Sequence, residues 1–99
     1  MQQLWNVRAE ISVEPQDFPS GDTVGFMNII TWADSADSAR IKIETYFATF
    51  NWHIIRVEEF APIREDFIYD SDEFADMIER ARTNPDAIIC GTFHSYKVN

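Results

Sequence analysis

Cys90 and His94 raise the first question of chemistry, because a thiol beside an imidazole can ionise and act as a nucleophile. Their spacing opposes it: four residues along a strand leave them on one face but ~13 Å apart. The pair reads as a small buried thiol and an unrelated histidine. A second set is His53, His94 and Tyr96. If the last strand pairs with the third, His94 approaches His53 or Glu58, and the set can transfer a proton, hold a metal through mixed ligands, or line a ligand pocket beneath the loop from Glu14 to Gly25. Two histidines with no ligand spacing specify none of these, and histidines on strand faces are the simpler reading. Asp70, Asp72 and Asp76 invite comparison with a calcium loop, but Phe74 occupies the third ligand position and the loop glycine is missing. A helix start explains those acids better. No phosphate loop, nucleophile elbow or paired catalytic carboxylate stands out. The expectation is a protein without a catalytic residue, cofactor or metal.

The acids themselves are the stronger signal. Between Glu58 and Glu79 stand nine of them (Glu58, Glu59, Glu65, Asp66, Asp70, Asp72, Glu73, Asp76, Glu79) against one base, Arg64. A solvated helix face that aids solubility is one account of such a block. A docking surface for a basic protein is the other, since complementary charge speeds association. Phe60, Ile63, Phe67 and Tyr69 are interleaved with these acids and offer aromatic and apolar anchors of the kind that dominate binding energy, unless they belong to the core. The expected docking residues are Glu58, Glu59, Glu65, Asp66, Phe67, Tyr69, Asp70 and Asp72.

A formal charge of −9 argues against ordinary nucleic-acid binding, which depends on Lys and Arg displacing counterions, and against docking on anionic lipid. One cysteine cannot form an internal disulfide or a four-cysteine zinc site, so a reducing compartment is expected. The N-terminal Met1-Gln2-Gln3-Leu4-Trp5 lacks the basic start and apolar run of a signal peptide, and no stretch approaches the ~20 apolar residues of a membrane span. A cytoplasmic location follows as an expectation.

Ninety-nine residues allow one domain and a single core, over residues 1–99. Trp5 to Val13 alternates, with Trp5, Val7, Ala9, Ile11 and Val13 on one side, and reads as a half-buried strand. Glu14 to Gly25 is a turn-rich, mobile loop in which Phe18 is the one anchor. Phe26 to Ala33 is apolar on both sides, as in a sheet interior. Asp34 or Ser35 then caps a helix that buries Ala39, Ile43, Tyr46, Phe47 and Phe50, and Asn51 ends it with a left-handed backbone. Trp52 to Phe60 alternates again until Pro62. Asp70 or Ser71 opens a second helix, where Asp70 with Glu73 forms a capping box and Phe74, Met77, Ile78 and Ala81 form the apolar stripe; Asn84-Pro85 stops it. Ala87 to Val98 is one last strand, broken or bulged at Gly91.

This order, β-β-α-β-α-β, predicts an α+β two-layer sandwich: a four-stranded, ferredoxin-like sheet with both helices on one face. The crossover rule places the first helix over the sheet between the second and third strands. The first strand, or the last one ending in Tyr96-Lys97-Val98-Asn99, falls at a sheet edge, where an unprotected strand pairs with a copy of itself; a structural or regulatory homodimer is thus the competing function class.

Trp32-Ala33-Asp34-Ser35, Ala39, the aromatic helix, Trp52, Val57-Glu58-Glu59 and Pro62 together resemble a pattern found in small bacterial domains of unknown function. Several of these are similar to immunity proteins, which neutralise a toxin made by the same or a neighbouring cell. The likeness spans Gly25 to Pro62 and rests on core and cap positions, so it implies a fold and transfers no functional residue. Asn51 stands where that pattern has glycine, an exchange a helix end tolerates.

Overall fold

A strand that is apolar on both sides must be covered on both, and Val24–Ala33 is such a strand. The computed structural model describes residues 2–64 and 71–96. In chain order these form β1 (Gln3–Ser12), β2 (Val24–Ala33), α1 (Ala36–Ala48), β3 (His53–Pro62), α2 (Asp72–Thr83), β4 (Ile89–Cys90) and β5 (His94–Tyr96). The sheet runs β3-β1-β2-β4, with β5 also on β2, and every pairing is antiparallel. Among the described residues it therefore has five strands where four were expected. The last apolar segment divides at Gly91, whose N–H turns to Asn28 O at 2.8 Å while Glu73 Oε1 and Met77 Sδ crowd the place a Cβ would take. The third and last strands do not pair; β1 and β2 lie between them.

The two helices take opposite faces. Paired residues of antiparallel strands share a face, and Val7, Ala9 and Ile11 of β1 stand opposite Ile29, Met27 and Gly25 of β2. Val7, Ala9, Ile11, Met27 and Ile29 pack with Ile43 and Phe47 of α1 in one core. Leu4 and Ile30 lie on the other face, with Ile63 and Ile89, against Met77, Ile78 and Ala81 of α2. The layers are thus helix, sheet, helix, and not two layers with both helices together. Each fully buried Ile or Phe side chain contributes ~1.5–3 kcal/mol, so both faces add to stability.

Ser35 caps α1 in a reciprocal box with Ser38. Asn51 takes φ 63°, the left-handed conformation expected of it. Of the expected stripe, Ala39, Ile43 and Phe47 are buried, whereas Tyr46 and Phe50 remain about two-fifths exposed (40% and 43%). Ser71 caps α2, accepting from Phe74 N–H at 3.3 Å. The Trp32 indole N–H donates to Ala81 O at 2.9 Å, filling a carbonyl that the last turn of α2 leaves open.

β3 departs from simple alternation. Arg8 pairs with Glu59 and Ala9 with Val57, then Glu10 with Arg56 and Ile11 with Ile54, so Glu58 and Ile55 are extra residues. These two bulges bring Ile54, Val57 and Phe60 against the α1 core. They also blunt the β3 edge, while two- and three-residue strands line the opposite side of β2. Both features oppose strand addition by a second copy. The loop after β1 is pinned by Phe18, stacked on Phe93 at 4.5 Å and near Trp52 at 5.6 Å, and by the Trp52 indole N–H on Asp17 at 2.6 Å. Among the described residues, no helix is long and apolar enough to cross a membrane.

Candidate functional site

Because α2 covers only the end of its sheet face near Leu4, Ile30 and Trp32, the described residues leave the rest of that face open. There Arg8 Nε meets Glu58 Oε2 at 3.1 Å, Glu58 Oε1 meets Arg56 Nη2 at 3.5 Å, and Arg56 Nε meets Glu10 Oε1 at 3.3 Å. Tyr96 donates its phenol O–H to the other oxygen of Glu10, and Arg8 lies over the Phe26 ring, 6.0 Å from its centre. The hydrogen bond to Glu10 holds the Tyr96 proton on and raises its pKa, with desolvation and the carboxylate's charge acting the same way. Two guanidiniums and two carboxylates balance here. With both guanidiniums well exposed, the pairs to Glu58 contribute about 0–1 kcal/mol each, so they shape the surface more than they stabilise it.

Between this open face and α2 lies a pocket of about 430 Å³. Asn6, Glu59 and Ala61 come from the sheet, Pro62, Ile63 and Arg64 from the end of β3 and the residues after it, and Phe74 from α2. Asn6 Oδ1 is enclosed and has no hydrogen-bond partner among the described residues.

The expected docking residues divide. Glu59 lines the pocket. Asp72 is exposed in the first turn of α2 and shares that helix's outer stripe with Asp76 and Glu79, opposite the buried Met77, Ile78 and Ala81. Glu58 is neutralised between Arg8 and Arg56. Asp76 approaches Arg80 only at 3.9 Å. Glu65, Asp66, Phe67, Tyr69 and Asp70 lie outside the described residues. Of the interleaved anchors, Phe60 packs on the first core and Ile63 belongs to the second.

Glu73, whose expected capping-box partner Asp70 lies outside the described residues, has a structural task. Its Oε1 accepts from Thr92 N–H at 2.7 Å and Thr92 Oγ1 at 2.9 Å, tying α2 to the turn between β4 and β5. These bonds, first the backbone and then the hydroxyl, hold its carboxyl below the ordinary value of 4.5. A lowered carboxylate pKa contributes stability at pH values above 4.5 that is lost as pH falls through the lowered value. Glu73→Gln is therefore expected to lower the melting temperature at neutral pH and to flatten its acid decline. Wild-type and variant curves that run parallel from pH 7 to strong acid would refute the latch.

The candidates for chemistry stay apart. His53 pairs with Ser12 and His94 with Phe26, so β1 and β2 separate the two strands by about 14 Å. Burial pushes the Cys90 thiol up to about 11 despite the charge of Arg80, leaving it protonated near neutrality. No group of three or more His, Cys, Asp or Glu among the described residues is placed to hold a metal ion. Asn6, Arg64 and Phe74 escape a reading of the sequence as site residues, because three separate elements bring them together; the only local sign is that Asn6 falls on the polar side of β1. No protein-family model, curated protein or solved structure matches the chain.

Proposed function

We propose that this protein is a non-enzymatic acidic module that docks a basic protein partner, in the manner of an immunity protein on a basic toxin. The observation that carries the reading is the outer stripe of α2, where Asp72, Asp76 and Glu79 are all exposed; Glu59 adds a further acid in the wall of the pocket under that helix. The charge of −9 extends the attraction beyond those four acids. At physiological ionic strength such a field acts over about 8 Å, enough to orient a cationic partner during approach. The separation of the histidines and the protonated state of Cys90 lend nothing to a catalytic alternative.

The test is affinity capture of a partner from the cells that make the protein, followed by kinetics with the purified pair. Reversing Asp72, Asp76 and Glu79 to lysine is expected to slow association by about tenfold or more and to flatten its salt dependence. Reversing Asp37 and Glu44 on α1 at the opposite face is expected to change the rate far less. Recovery of no partner, or equal rates for the two variants, overturns the proposal.

A further inference from the structure

We infer that the pocket between α2 and the open sheet face receives a lysine or arginine side chain of the docked partner. The inference deepens the docking reading above and rests on it. At about 430 Å³ the pocket is within the size range of built ligand sites. Ala61, Pro62 and Phe74 give it apolar walls suited to the methylene stem of a long cationic side chain.

The polar groups determine which end such a chain must carry. Asn6 Oδ1 is an enclosed acceptor with no donor among the described residues, a state that protein interiors avoid. An N–H entering the pocket supplies that donor once the Asn6 side chain turns toward it. Glu59 forms no ion pair among the described residues and supplies a second acceptor, this one charged. Glu59 in the wall, joined by Asn6 Oδ1 once that side chain turns, calls for an occupant with several donors and a positive charge, and both guanidinium and ammonium have them. Arg64 also stands at the pocket, exposed, and its charge opposes such a head group. Its removal is therefore expected to tighten binding, which an occupant carrying a carboxylate would reverse.

Nuclear magnetic resonance titration of the whole protein tests this with three capped tripeptides: glycine–arginine–glycine, and the same peptide with norleucine or glutamate at the centre. The arginine peptide is expected to move the Asn6 side-chain amide and the backbone signals of Ala61 and Phe74, with weak, saturable affinity. Norleucine and glutamate peptides should move them at least tenfold less. Asn6→Leu keeps the fold, because it removes an unpartnered buried polar group, and should weaken the arginine peptide by about tenfold. Glu59→Gln should weaken it about fivefold, and Arg64→Ala should strengthen it. Equal response to norleucine marks a merely apolar pocket; preference for glutamate marks an anion site; either overturns the inference. Binding unchanged in Asn6→Leu also overturns it while leaving the docking proposal intact, whereas equal capture by the α2 charge-reversed variant removes the docking proposal without touching the peptide result.

Discussion

Replacing Phe47 with alanine is expected to lower the free energy of unfolding by about 3–5 kcal/mol, the usual cost of truncating a buried phenylalanine. Phe47 is fully buried and heads the largest such side chains among the described residues. Its ring lies in the core that α1 makes with Val7, Ala9, Ile11, Met27 and Ile29, and it meets Trp52 edge-on with ring centres 5.4 Å apart. Few neighbours can move into the space. Three of the facing residues belong to β1, a central strand paired over nearly its whole length with β2 and β3. The cavity therefore stays largely open, which sets the cost near the upper part of the range. The Phe47 carbonyl, which accepts from Phe50 N–H and Trp52 N–H, survives the substitution, so the helix end should persist while its packing is lost. Since domains of this size are stable by about 5–15 kcal/mol, the variant is expected to unfold at far lower urea concentration or temperature. Tyr46→Ala, one position away but 40% exposed, should cost much less. Equal losses in the two variants, measured by circular dichroism, would mean that α1 is not docked through the Phe47 stripe.

What the sequence makes legible is the local part of this arrangement. Ser35, Asn51 and Asn84 announce the helix ends through cap chemistry that depends only on neighbouring residues. The odd positions of β1 announce a buried face by their own alternation. What stays hidden depends on partners distant in the chain. β2 is apolar on both sides, which already calls for two covers, but neither helix stripe says which face it will take; register with β1 decides that. The bulges of β3 leave a trace that can be read in retrospect. Strict alternation would bury either Arg56 and Glu58 or His53 and Glu59, and a strand in which neither phase excludes charge is one that breaks phase. Glu73 illustrates the same limit. Its position three residues after Asp70 suggests a local cap, yet its partner is Thr92, nineteen residues on, which no local pattern marks. The site divides along the same line: an acidic character is visible in composition, whereas a pocket assembled from β1, β3 and α2 is not.

Gly25→Ala is expected to detach β5 and to cost about 1–3 kcal/mol, the range for forcing atoms into a filled space. A Cβ on Gly25 would lie 2.7 Å from His94 O, 2.7 Å from Ser95 Cα and 2.7 Å from Phe93 Cε1. The Phe93 ring can swing aside, but the other two atoms are backbone and move only with the strand. β5 is three residues long and pairs with β2 through Val24, Gly25 and Phe26, so a shift at its centre leaves little ladder to hold it. Two side-chain ties go with it: Ser95 Oγ on Asp22 at 2.8 Å and the Tyr96 phenol on Glu10. The consequence reaches the open face, since Glu10 then faces Arg56 alone. Because the bond to Glu10 raises the Tyr96 pKa, its loss should let that phenol ionise at lower pH, a change visible in the ultraviolet titration by comparison with Tyr96→Phe. Amide exchange should quicken at Ser95 and Tyr96 while the Ile29 and Ile30 amides of β2 stay protected. A variant with wild-type stability and an unshifted phenol would mean that β5 tolerates the methyl group and is not held by close approach at Gly25. The expected outcome instead makes one glycine the link between the short edge strand and the charge balance of the sheet face beside the pocket.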